Sequence, residues 1–259
     1  MKKILALVMA VLLVAGVFAL AGCGKTEDDG AAKLILATSA DFPPYEYIEG
    51  NDYAGIDIEI AGLIAEKLGR ELVVENMNFN SIINAVETGK ADIGMAGLTV
   101  SPERLESVDF TDSYATGVQA IIVPENSPIK TVEDIYAEGA AYKFGVQLST
   151  TGDIYISTEI NDDKTLNGTV EQYTTGAEAV AALVAGKIDC VVIDNEPAKS
   201  FVAANKGLKV LDTEYAVEDY AICLAKENAE LLTQVNTALA ELKAEGKVDS
   251  IINKYIPAE

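Results

Sequence analysis

The chain has 259 residues, 49% of them hydrophobic, with 20 Gly and 7 Pro. That is enough for one large domain or two modest ones, and too apolar for a disordered or fibrous protein. Its formal charge of −22 repels nucleic acid and anionic headgroups, so neither is a partner held by charge. The chain has no His, the commonest general base and transition-metal ligand, and we assign it no catalytic residue, metal or cofactor.

In chain order, Lys2 and Lys3 precede an apolar run from Ile4 to Ala21. A short basic start, an apolar stretch and small residues at its end read as a signal peptide over residues 1–22. The other reading is an uncleaved anchor, since the run just reaches the length of a membrane span. Leu20-Ala21-Gly22-Cys23 resembles the lipobox of bacterial lipoproteins, which implies that Cys23 is the lipid-modified first residue of the mature chain. Residues 23–32 are small, polar and aperiodic, as a tether requires. Losing Lys2 and Lys3 with the leader takes the charge to −24. Attachment to the membrane would therefore come from the lipid, with an extracytoplasmic body.

"KLILATSA" reads as an opening strand that breaks at "DFPPY". "GIDIEIAGLIAEKLG" reads as an amphipathic helix with Asp57 as its cap, Ile60, Leu63, Ile64 and Leu68 on one face, and Gly69 as its stop. "RELVVENM" and "NSIINAVETGK" continue with a strand and a helix. Farther on, "KFGVQLS", "GTVEQY" and "KIDCVVID" read as strands and "TTGAEAVAALVAGK" as a helix. The tail from Glu227 to Tyr255 is a long helix and a short one. Cys190 and Cys223 sit in apolar strand runs and read as buried free thiols. Alternating strands and helices predict α/β architecture with mostly parallel sheets flanked by helices.

Two segments echo each other. "AVETGKADIGMAG" from Ala85 and "ALVAGKIDCVVID" from Ala182 both run from a helix end through Gly-Lys, one apolar residue and Asp into a strand. The repeat predicts two lobes of one plan. "YATGVQAIIV" and "AVEDYAICLA" are then the outgoing and returning crossings. On this reading lobe 1 is residues 33–115 and 219–259, lobe 2 is residues 116–218, and a two-strand hinge joins them with a cleft between.

The echo aligns Gly97 with Asp194, each eight residues after its helix-ending glycine. That sets bare backbone against a carboxylate suited to an ammonium, although an Asp at a strand end also caps its own loop. Arg104 is one of only two arginines, with Arg70. Behind Ser101-Pro102 it falls in the first turn of a short helix, where the dipole disfavours a cation. Its rigid fork either grips a ligand carboxylate, with Thr99 adding a hydroxyl, or pairs internally with Glu106 or Asp109. In "QLSTTGD", Thr150 or Thr151 is a cap, and the free N–H groups near Gly152 form an anion site. Phe42 and Phe79 follow strands of lobe 1 and either flank a ligand or pack in the core. Together these groups suit a zwitterion.

"FPPYEY", "YAGIDIEI", "GKADIGMAGLTVSPERLESVDFTDSY", "QLSTTGD", "AGKIDCVVID" and "DYAICLAKENAELL" resemble the solute-binding proteins of polar amino-acid ABC importers, over essentially everything after the tether. The resemblance implies a type II periplasmic-binding fold whose two lobes close on an amino acid, a monomer, and ABC permease subunits as partners. It implies that Phe42 and Phe79 flank the substrate, that the Gly97 backbone and Asp194 take the ammonium, and that Thr99, Arg104 and Thr151 clamp the carboxylate. Ser39 stands where binders of basic amino acids often carry Asp, and Ser149 replaces a frequent Gly. Ser39, Asp41, Asn78 and Gln147 are the candidates for the side-chain pocket, leaving arginine, lysine, glutamine and cystine open as ligands. The rivals are a dehydratase-type enzyme on the same scaffold and a sensing module for a separate receptor.

Overall fold

A computed structural model describes residues 32–257. The expected leader, Cys23 and all but the last residue of the tether lie outside the described residues. β1 (Lys33–Thr38) opens the body with Leu34, Leu36 and Ala37 fully buried. β2 (Asp41–Phe42), β3 (Glu46–Glu49) and β4 (Asp52–Ala54) then form a small antiparallel sheet. Strands this short carry too few residues for periodicity to reveal them.

α1 (Ile56–Lys67) buries Ile60 and Ile64, with Leu63 and Leu68 packed partly against the same core. Asp57 is not its cap. The helix starts behind Gly55, and Asp57 lies fully buried within the first turn. Its Oδ2 accepts from the Gly97 N–H at 3.0 Å and the Tyr114 hydroxyl at 2.9 Å. Donors from two other elements outcompete the N–H groups of its own helix.

β5 (Glu71–Asn76), a 3₁₀ turn (Phe79–Ser81), α2 (Ile82–Glu87), β6 (Ile93–Gly94), α3 (Arg104–Ser107) and β7 (Val108–Phe110) follow. β8 (Ala115–Pro124) leads through a 3₁₀ turn (Val132–Tyr136) to β9 (Tyr142–Gln147), α4 (Thr151–Asn161), β10 (Gly168–Tyr173), α5 (Gly176–Val184) and β11 (Cys190–Asp194). α6 (Asn195–Ala204), β12 (Leu208–Val210), β13 (Ala216–Tyr220), β14 (Cys223–Ala225), α7 (Ala229–Ala244) and α8 (Lys247–Tyr255) complete the chain.

The strands build a two-lobe α/β molecule. One sheet has the order β5-β1-β6-β14-β7; the other runs β10-β9-β11-β8-β12, with β13 also paired to β8. Within each, the three strands linked through helices are parallel. β14 pairs antiparallel with β6 and β7, and β8 pairs antiparallel with β11, β12 and β13. Leu34, Leu36, Ile60, Ile64 and Ile93 pack with Leu231, Val235 and Leu239 of α7. Ile121, Phe144, Val146, Ile156 and Val192 form the second core.

The sequence echo is structural. α2 and α5 end at Gly89 and Gly186, with φ of 71° and 67°. The Lys90 and Lys187 N–H groups close back on the carbonyls of Ala85 and Ala182, at 2.8 and 3.0 Å, as in a Schellman turn. Asp92 and Asp189 then accept the N–H of Ile35 and Lys143, at 2.7 and 2.8 Å. Each Asp thus fastens its incoming segment to the neighbouring parallel strand. Cys190 and Cys223 are buried free thiols. Burial pushes the Cys223 thiol up to about 12, which leaves it inert.

β8 and β13 pair antiparallel from Ala115↔Tyr220 to Gln119↔Ala216. The Tyr220 ring lies over Gly117, where an added Cβ would sit 2.2 Å from the ring carbon Cζ. Gly117→Ala is therefore expected to cost about 1–3 kcal/mol by overpacking. Calorimetry should record a Tm lower by about 2–4 °C per kcal/mol; an unchanged Tm contradicts this packing.

Candidate functional site

Between the sheets lies a narrow cavity walled by Ser39, Asp41, Phe42, Glu46, Phe79, Ala96, Gly97, Thr99, Arg104, Gln147, Thr150, Thr151 and Asp194. The seven residues singled out for the ligand backbone and its flanking rings all contribute, as do Ser39, Asp41 and Gln147. Asn78 does not. It is exposed, in extended backbone between Met77 and Phe79, whose side chains turn inward against the core. Strand alternation points the residue between them outward.

α3 and the loop before it deliver Arg104, which is 7% exposed. The Ser101 hydroxyl accepts the Arg104 N–H at 3.2 Å. The guanidinium pairs with neither Glu106 nor Asp109. It donates to the Thr99 carbonyl at 2.8 Å and, from its other nitrogen, to the Ser149 carbonyl at 3.1 Å. Its carbon stands 5.4 Å from the centre of the Phe79 ring. Burial depresses its pKa, opposed by the negative charge of Glu218.

Ser149 explains the residue type expected there. Its φ is +65°, backbone that glycine adopts freely and serine at a cost of about 1–3 kcal/mol. The Asp153 carboxylate accepts its N–H at 2.9 Å, and its carbonyl serves Arg104. Thr150 caps α4, its hydroxyl facing the Asp153 N–H, and Thr151 stands on the first turn.

Two residues central to this arrangement escaped the sequence reading. Glu218 on β13 is 5% exposed, and its Oε2 accepts from the Thr99 hydroxyl, the Thr151 hydroxyl and the Gln119 amide, at 2.9, 2.9 and 3.2 Å. Gln119 lies on β8, fully buried. No local signal marks Glu218: β13 buries it and leaves Val217 64% exposed, the reverse of apolar-in patterning.

Asp194 ends β11, and the Tyr220 hydroxyl donates to its Oδ1. It has no cation partner among the described residues. A buried acid and a buried guanidinium, neither with a counter-ion, thus share one cavity. Residues 34–258 match the family described as bacterial extracellular solute-binding proteins, family 3. The chain belongs to this family. It is 30% identical to the arginine-binding extracellular protein ArtP of Bacillus subtilis (strain 168), over the full length of both. A solved ancestral arginine-binding protein bound to arginine is 36% identical, with a TM-score of 0.79 over 87% of this chain and 98% of the other. A structure of an ancestral arginine-binding protein bound to glutamine is 35% identical, with a TM-score of 0.79 over 88% of this chain and 99% of the other.

In this family 3 solute-binding protein, burial and the nearby Glu218 charge push the Asp194 carboxyl up to about 8. Its ordinary value is 3.8. Between these values the folded protein keeps a proton that the unfolded chain has released, so Asp194 destabilises the fold increasingly as pH rises from about 4 to about 8. Asp194→Asn should therefore melt higher than the ligand-free wild type, with a gap absent near pH 4 and full above pH 8. Calorimetric melting across this range checks it; a gap independent of pH contradicts the assignment.

Proposed function

We propose that the protein captures a polar amino acid, arginine foremost, between its two lobes and hands it unaltered to the permease of an ABC importer. The observation that carries this reading is the pairing of Arg104 and Asp194 in one cavity, each without a counter-ion. Arg104 takes the α-carboxylate, helped by Thr99, Thr151 and the free N–H groups at the start of α4. Asp194 and the Gly97 backbone take the α-ammonium, and Phe42 and Phe79 flank the side chain. The Gly97 N–H is already given to Asp57, so its carbonyl is the group available. The Thr99 and Thr151 hydroxyls each have a single proton, now donated to Glu218, and turn from it when the ligand arrives.

In this account residues 33–115 and 219–259 form one lobe and residues 116–218 the other, and β8 and β13 flex as the cleft closes. Residues 1–22 are removed, lipid on Cys23 holds the body outside the cell membrane, and residues 23–32 are the leash of a monomer. The arginine-binding relatives and the family's extracellular character support the transport role.

A thermal-shift screen of the common amino acids tests the ligand class, because ligand raises Tm by mass action. Charge-assisted hydrogen bonds are worth about 1.5–3 kcal/mol each, so Arg104→Ala should weaken arginine binding about tenfold to a hundredfold. Unchanged affinity by calorimetry removes the carboxylate role. Cys23→Ser should abolish labelling by radioactive palmitate; persistent label on that variant rules out Cys23 as the anchor.

A further inference from the structure

Glu218 stands behind the cavity rather than in it. It is buried and does not wall the space, but the two residues whose hydroxyls it engages, Thr99 and Thr151, do. Both hydroxyls donate to the same oxygen, Oε2, at 2.9 Å each, and the Gln119 amide adds a third bond there at 3.2 Å. The other oxygen, Oε1, is buried with no donor. A carboxylate that only braces two strands has both oxygens satisfied as a rule, because a buried acceptor without a partner is costly. Here the donors converge on one point instead.

The charges around Glu218 follow the same plan. After burial itself, its negative charge is the largest influence on both Arg104 and Asp194, favouring the charged guanidinium and disfavouring the charged carboxyl. An α-carboxylate set against Arg104, Thr99 and Thr151 acts on the same groups with the same sign. Thr99 precedes α3 and Thr151 opens α4, so Glu218 gathers hydroxyls from two separate elements of the cavity wall. Each hydroxyl has one proton, which serves either Glu218 or a ligand.

We propose that Glu218 is a positioning residue that stands in for the ligand's carboxylate. In the ligand-free protein it holds the two hydroxyls together, and it sets affinity by competing for their protons. This inference rests on the assignment of the ligand's α-carboxylate to Arg104, Thr99 and Thr151. Binding then exchanges two charge-assisted hydrogen bonds for two others and brings two carboxylates close together, so the hydroxyls contribute little net affinity. Glu218→Gln keeps the shape and changes that balance. The new carbonyl still accepts from Gln119, while the new amide donates to the threonine oxygens. Both hydroxyl protons are then free for the ligand, and no bond is surrendered when it arrives.

Calorimetry tests this with arginine and with agmatine, which is arginine without its carboxylate, the latter read by its displacement of arginine. Glu218→Gln should bind arginine about tenfold tighter or more, the worth of a charge-assisted bond no longer given up. Agmatine binding should change by less than about threefold. Unchanged or weaker arginine binding overturns the proposal, because a residue that merely braces β13 and holds the hydroxyls in place weakens binding when altered. Equal tightening for both ligands overturns it too, since the carboxylate is then not what Glu218 competes with. Should Glu218→Gln fail to fold, Glu218→Asp, which draws the carboxylate back by one methylene, should also tighten arginine; equal or weaker binding there contradicts the proposal. Absence of arginine binding by the wild type would instead bring down the ligand assignment, and this proposal with it.

Discussion

Arg104 leaves water without gaining a counter-ion, and much of the structure follows from how that is managed. Its guanidinium is held by two carbonyls that belong to opposite sides of the cavity, Thr99 before α3 and Ser149 before α4. Carbonyl dipoles offset part of the lost hydration but bring no full charge. The site is left with a positive group whose best partner, a carboxylate, is absent. Ser149 stays in left-handed backbone because its N–H and its carbonyl are both engaged. Local strain and an unanswered charge therefore meet at the lip of the same cavity.

The opposite imbalance lies a short way off. Asp194, Glu46 and Asp57 are buried acids with too few donors, and Glu218 gathers three on a single oxygen. Glu218 sits on β13 and Gln119 on β8, which pair antiparallel and are the crossings between the lobes on the proposed reading. The hydroxyls proposed for the ligand's carboxylate are thus already tied to the crossing strands. On the proposed reading, ligand arrival exchanges an internal carboxylate for an external one, which would couple recognition to these two strands.

Much of the frame was legible in the amino acids, because it rests on local rules. Gly89 and Gly186 end their helices in left-handed backbone, and the Asp three residues later repeats the same fastening in both lobes. That repetition predicted two lobes and aligned Gly97 with Asp194. Arg104 stood out through its scarcity and its unfavourable place in a first turn. Other features depend on tertiary contact and gave no local sign. Asp57 looked like a helix cap, and only the fold brings Gly97 and Tyr114 to it. The short strands β2 to β4 have no period to detect, and Asn78 follows an alternation that needs Met77 and Phe79 fixed first. Glu46 and Glu218 read as ordinary surface acids until the strands around them bury both.

A structure determined with arginine tests the central claim most directly. The account predicts the ligand's α-carboxylate within hydrogen-bonding distance of the Arg104 guanidinium and its α-nitrogen against the free oxygen of Asp194. An arginine bound elsewhere, or a ligand lying with its ends reversed, would contradict it.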